Sequence, residues 1–352
     1  MENKTACKFK HHVSLSALEP HDDAITALSF HPKADHLASG SLDTTVKLWK
    51  FNPCSLPKKF TAHESGIADV CHSDELIASA SEDGYVRVWV PKLKKHSLFF
   101  GFHESAVRSV HFSPCGEKLV TASDDKSINL WSPNNMTILG RFNEHSHGVR
   151  CAKFSPNGKL LISCSDDKTT KLWDITSGKC VQTFSSQKIV MRTGSSSEVC
   201  PRYVEFHPNG TTVASGHEDG CVFLFDLRAN SLLQYYIVHT GDVNMIKFHP
   251  NRNILLTAAD DSTMKILDLL EGREISTLHG HNGAVTCIAF SNDGMLLASG
   301  STDQRVLLWR FNNLYMDPQF NSTLQLMSSL LPIERDIVDA NSNSDEQQKE
   351  NI

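Results

Sequence analysis

Every tryptophan of this 352-residue chain occupies the same phase of one repeated pattern. Trp49, Trp89, Trp131, Trp173 and Trp309 each stand six residues after an aspartate, namely Asp43, Asp83, Asp125, Asp167 and Asp303. The aspartate recurs at Asp219 and Asp261, where Phe225 and Leu267 take the tryptophan position, giving seven copies spaced 40, 42, 42, 52, 42 and 42 residues apart. A period of this length dictates an array of like units. Each unit is too small to bury its own apolar faces and must stack on its neighbours. Length alone would suggest two domains; the period makes it one array with a tail.

Other residues keep the same phase. A histidine precedes the aspartate in six copies, at His21, His63, His103, His145, His239 and His281, by 22 residues in five of them and 20 in the case of His63. A hydroxyl residue precedes it by four in all seven, at Ser39, Ser79, Thr121, Ser163, Ser215, Thr257 and Ser299. Between these markers the chain reads as short strands. Residues 25–30 and 107–112 alternate apolar and polar side chains, as half-buried strands do. Pro-Asn-Gly at 156–158 and 208–210 marks tight turns. Four strands per copy of about 40–45 residues is the pattern of a propeller blade. On these markers the chain resembles the WD-repeat β-propellers over roughly residues 11–310.

The resemblance implies an all-β, seven-bladed ring. A strand-like segment, residues 13–18, precedes His21, and the last copy stops after its third strand at Trp309. The N-terminal segment is therefore expected to supply the missing outer strand of blade seven and so protect two exposed sheet edges. The expected layout is an extension at 1–12, the propeller at 13–310 and a mostly disordered acidic tail at 311–352. A short helix around Leu324–Leu331 is expected within the tail.

Composition narrows the class. Of the net charge of −6, the tail from Phe311 carries seven acids against two bases, which leaves the propeller nearly neutral and without the basic excess of a nucleic-acid binder. Ten cysteines occur with no Cys-x-x-Cys pair, as expected for free thiols in a reducing cell. No apolar run approaches membrane-spanning length, and residues 1–12 are polar and basic rather than an apolar signal core. The expected setting is the cytoplasm and cytoskeleton. No cofactor, metal site or small-molecule substrate is expected, because neither metal-ligand spacing nor a phosphate loop is present.

His, Ser and Asp at fixed spacing also suit a nucleophilic triad, but an active site is needed once and this set is repeated. The WD-repeat resemblance implies a structural chain instead, in which the indole bonds the hydroxyl, the hydroxyl the imidazole and the imidazole the aspartate. Complete sets are His21/Ser39/Asp43/Trp49, His63/Ser79/Asp83/Trp89, His103/Thr121/Asp125/Trp131, His145/Ser163/Asp167/Trp173 and His281/Ser299/Asp303/Trp309. Blade six lacks the indole. Blade five lacks both indole and histidine, has Ser197 at the histidine position, and follows an insertion of about ten residues within 185–198. That insertion reads either as a partner loop or as a tolerated surface insertion.

Two further positions fall on one rim, at the mouth of the channel. The residue before the turn aspartate is acidic in five consecutive copies: Glu82, Asp124, Asp166, Glu218 and Asp260. Four residues before the aromatic that ends the first strand stand Arg108, Arg150 and Arg202. This pattern suits either a partner-docking surface or pairing among solvated charges of the same molecule.

Several segments are similar to one family in particular, the "protein of centriole" WD-repeat family. They include residues 86–91, 106–112, 149–156 and 165–169, and 264–272 with Leu267 in place of tryptophan. That resemblance implies a non-enzymatic scaffold at centrioles and basal bodies, supporting their assembly and stability and cilium formation through centriolar or other cytoskeletal proteins. The family usually adds a C-terminal coiled coil, whereas residues 311–352 show no sustained heptads. A competing expectation comes from 225–228, Phe-Asp-Leu-Arg, which resembles the Trp-Asp-x-Arg box of substrate receptors for cullin-RING ubiquitin ligases. Lys349-Glu350-Asn351 matches a short degradation signal of mitotic proteins.

Overall fold

A computed structural model describes residues 12–14, 20–51, 57–61, 63–90, 97–185 and 199–311. Among the described residues, twenty-eight strands form seven four-stranded antiparallel sheets. Six of these are consecutive meanders. Blade four is typical, with strands Val149–Phe154, Leu160–Ser165, Thr169–Asp174 and Lys179–Ser185. Most residues of its first three strands are buried, while its outer strand is largely exposed and alternates toward solvent.

The seventh sheet is made from both ends of the chain. His12–Ser14 pairs antiparallel with Val306–Arg310, with Val13 opposite Leu308. The described closing strand is thus shorter than the expected 13–18 and begins one residue earlier, and residues 15–19 lie outside the described residues. The first strands of adjacent blades pack side by side around a central axis, and Ile25–Phe30 of blade one meets Val285–Phe290 of blade seven. A Cβ at Gly300 would stand 2.7 Å from the Ile25 side chain, so this closing contact depends on the absence of a side chain there. Phe311, which the sequence reading assigned to the tail, is buried and packs on His249 and Phe290 with ring centroids 5.2 and 5.6 Å away. The apolar burial of its ring extends the propeller to this residue. The 186–198 part of the insertion and the expected tail helix lie outside the described residues.

Each turn aspartate accepts a hydrogen bond from the backbone two residues on, as at Thr45 (2.9 Å), Tyr85 (2.9 Å) and Thr169 (3.0 Å). The intervening residue takes a positive φ in all seven blades: Thr44, Gly84, Lys126, Lys168, Gly220, Ser262 and Gln304. Five of the seven are not glycine, a conformation costing roughly 1–2 kcal/mol per residue. The aspartate bonds hold the turn against that cost.

Candidate functional site

The polar sets sit between the second and third strands of each blade. In blade four, Trp173 Nε1–H donates to Ser163 Oγ (2.8 Å), Ser163 lies 2.8 Å from His145 Nε2, and His145 Nδ1–H donates to Asp167 Oδ2 (2.7 Å). The same chain, with links of 2.7–3.0 Å, joins His21/Ser39/Asp43/Trp49, His63/Ser79/Asp83/Trp89, His103/Thr121/Asp125/Trp131 and His281/Ser299/Asp303/Trp309. The aspartate accepts from Nδ1, so Nε2 is left as an acceptor and the hydroxyl proton points to it. That is the proton arrangement of a nucleophilic triad. Here, however, the five hydroxyl residues are 0% exposed, and each hydroxyl already accepts the indole N–H. No acyl group could reach them, and the sets act as ties between strands.

Burial raises the carboxyl pKa of Asp43, Asp125 and Asp167. Hydrogen bonds from the histidine and from Thr45, Ser127 or Thr169 outweigh it and hold all three below the ordinary carboxylate range.

Blades five and six solve the same problem with fewer parts. In blade six His239 joins Thr257 (2.7 Å) to Asp261 (2.8 Å), and Leu267 fills the indole position without a donor. In blade five the imidazole comes from within the sheet. His217 Nε2 lies 2.8 Å from Ser215 Oγ, and its ring stands edge-on to Phe223 at 4.5 Å. Sequence spacing missed His217 because it lies two residues after the serine rather than eighteen before it. Phe225 replaces the indole with a ring that packs on Phe184, centroids 4.8 Å apart.

The rim charges meet one another. Arg108 bridges Asp124 (2.7 Å) and Glu82 (2.9 Å), and Arg150 grips both oxygens of Asp166 (2.7 and 2.6 Å). Arg202 bridges Glu218 (3.1 Å) and Asp242 (2.7 Å). The hydrogen bonds that Arg108 and Arg150 donate to Asp124 and Asp166 raise their pKa above the ordinary guanidinium value. Asp260 instead accepts from Asn244 (2.7 Å), and Asp242 was not legible as a rim acid because it lies in the loop before its strand. The alternation is therefore, in the first place, a network within the molecule. It still leaves six carboxylates against three guanidiniums, with side chains 25–39% exposed where ion-paired. Behind it opens a cavity of about 280 Å³ lined by Thr26, Leu42, Tyr203 and Met245 among others. Deeper in the channel Lys153 faces Asp69 (3.4 Å) and Lys247 pairs with Glu205. These inward positions of the first strands carry no repeat signal.

Asp226 and Arg228 belong to a turn. Asp226 Oδ1 accepts the backbone N–H of Arg228 (2.8 Å), as Asp174 does for Thr176 and Asp268 for Leu270. Asp226 therefore has a role in the turn shared by three blades, and Arg228 is exposed.

The WD domain, G-beta repeat profile matches residues 12–50, 54–90 and 94–132. The chain belongs to the WD-repeat β-propeller family. The profile of the Nucleolar protein 10-like, N-terminal domain matches residues 139–328, more than half of the chain, and places this WD-repeat propeller in that β-propeller family too. Among curated relatives, a nuclear distribution protein PAC1 of Ajellomyces capsulatus is 35% identical over 105 residues, covering 28% of this chain and 23% of the relative. Nuclear distribution protein nudF 1 of Talaromyces marneffei is 35% identical over 104 residues, 28% of this chain and 22% of its own length. Nuclear distribution protein nudF of Aspergillus flavus is 31% identical over 109 residues, 30% and 24% respectively. The matches span about a quarter of these relatives. None of the three names refers to centrioles. The protein is a WD-repeat propeller of the scaffold type.

Proposed function

We propose that this WD-repeat propeller is a non-enzymatic scaffold at centrioles and basal bodies, and that it recruits cytoskeletal partners through the charged mouth of its channel. The observation that carries the docking reading is the rim of blades two to six. Its residues, Glu82, Arg108, Asp124, Arg150, Asp166, Arg202, Glu218, Asp242 and Asp260, concentrate charge on one side of the ring and leave an excess of carboxylate. A partner presenting lysine or arginine side chains fits that excess, and complementary fields favour both encounter and register. Support for the centriolar setting is the resemblance of residues 86–91, 106–112, 149–156 and 264–272 to the "protein of centriole" family. The nuclear distribution relatives share only a run of repeats and agree with an intracellular scaffold.

The test is a tagged full chain imaged with a centriole marker, as wild type and as Glu82→Gln with Glu218→Gln. These changes lower the carboxylate excess while Arg108 keeps Asp124 and Arg202 keeps Asp242; removing an arginine would instead add to that excess. Half-exposed ion pairs contribute about 0–1 kcal/mol each, so the variant should melt within a few degrees of wild type yet lose centriolar recruitment. Recruitment that survives the double change would remove the rim as the docking surface. A wild-type protein with no centriolar signal would remove the centriolar reading.

A further inference from the structure

Two departures from the repeat coincide in space. The first strand ends in phenylalanine in six blades, at Phe30, Phe112, Phe154, Phe206, Phe248 and Phe290, but in His72 in blade two. Three residues before the conserved hydroxyl stand Leu76, Leu160, Ile254 and Leu296 in other blades, but His36 in blade one, preceded by Asp35. His31, His36 and His72 come together on the face opposite the charged rim. The rings of His31 and His36 stack at 4.2 Å, and His72 stands edge-on to them at 5.9 and 5.2 Å. Asp35 Oδ1 lies 2.8 Å from His31 Nδ1 and 2.7 Å from His36 Nδ1.

The surrounding bonds place the protons. His31 Nε2–H donates to Asp74 O (3.2 Å), and its Nδ1 accepts the Lys33 N–H (3.2 Å). The Nδ1 role is shared by His207 and His249, which cap their own turns in the same way at 3.1 Å. Only at His31 does a carboxylate also face that nitrogen. The one lone pair of His31 Nδ1, shared with the Lys33 N–H, faces the Asp35 carboxylate at 2.8 Å, and a positive charge between them, a proton or a metal ion, relieves the repulsion. His72 Nδ1–H donates to Ser29 O (3.0 Å), which leaves Nε2 with its lone pair bare. Nε2 of His72 and of His36 are both buried without a hydrogen-bond partner. Buried polar nitrogens without a bond are rare and point to a further ligand beside the cluster.

We propose that His31, Asp35 and His36, with His72 beside them, form a binding site for a divalent transition-metal ion of the zinc class. The three ligand-type atoms of His31, Asp35 and His36 lie within 4.8 Å of one another. At zinc bond lengths of about 2.0–2.2 Å, two tetrahedral ligand atoms stand roughly 3.3 Å apart, so a small swing of the Asp35 carboxylate makes room. That swing is open to it, because Asp35 is 57% exposed while the imidazoles are held by packing. Imidazole nitrogen with one carboxylate selects zinc, nickel or copper over magnesium or calcium, which want oxygen donors. The ion would join the turn of blade one to the strand end of blade two.

The experiment is a titration of the chelator-stripped full chain with Zn²⁺, read by calorimetry and by thermal shift. The variants are Asp35→Asn and the pair His36→Leu with His72→Phe, which restores what other blades carry. Wild type should take up one zinc equivalent at this site and gain melting temperature with it. Asp35→Asn should weaken that binding by about tenfold or more, and the histidine pair should abolish it while the metal-free melting temperature stays close to wild type. If the histidine pair fails to fold, Asp35→Asn alone decides. Absence of uptake by wild type, or uptake unchanged in Asp35→Asn, overturns the site.

Discussion

The indole–hydroxyl–imidazole–carboxylate chain ties the second and third strands of a blade, and the turn between them, to the loop ahead of its first strand through buried polar atoms, each satisfied by the next. Removing its charged end should cost most. Asp167→Ala strands His145 Nδ1, the Ser146 and Thr169 backbone N–H groups and the Thr169 hydroxyl, all of which Asp167 accepts. We expect a loss of about 2–4 kcal/mol in chemical denaturation. Trp173→Phe removes a donor whose acceptor keeps His145 and leaves a small void where the larger ring was buried, and should still cost less than the loss of the carboxylate. Equal effects would mean that the indole, not the carboxylate, anchors the chain. The buried rings also set the response to pH. Burial lowers His72 to about 3 and His217 to about 4. The unfolded imidazole takes up a proton below about pH 6.5, whereas the buried ring does not until those lower values. Stability is thus full above pH 6.5 and lost as pH falls toward 4, by on the order of 2 kcal/mol per ring at pH 4.5. The turn aspartates, held below their ordinary range, add a second loss only below about pH 4. Urea melts at pH 7.5, 5.5 and 4.5 should show the first decline, and His72→Phe should flatten part of it; an unchanged slope would show that the ring is not protected from protonation.

Blades differ in how completely their strands are tied. Blade four has the full chain from Trp173 to Asp167, whereas blade five relies on His217 and Ser215 and on the packing of Phe225 against Phe184. The blade-five strands Thr212–His217 and Cys221–Asp226 should therefore open before Leu160–Ser165 and Thr169–Asp174 of blade four. Amide hydrogen exchange read strand by strand measures this directly, and equal protection in the two blades would count against the polar chain as the lock. Spacing alone identified blade five as the odd member. It did not identify His217 as the substitute, because a residue's reach across a sheet depends on strand register: Ser215 pairs with Phe223 and His217 lies one pleat beyond.

At the scale of the ring, the vulnerable element is the seam. Deleting residues 12–18 would bare the edge of Val306–Arg310, now paired with His12–Ser14. An open apolar edge invites pairing with other molecules, so the deleted protein should melt several degrees lower and self-associate in light scattering; a monomer of unchanged melting temperature would show that the seam does not hold the ring. The repeat period, the number of blades and the members of the five complete polar sets were all readable from spacing. They recur within one copy of the pattern, where covalent distance along the chain sets which residues share a phase. The rim pairs Arg108–Glu82 and Arg202–Asp242 and the meeting of His72 with His31 and His36 each join different blades. Such contacts exist only once the sheets have stacked, and no spacing within a single copy encodes them.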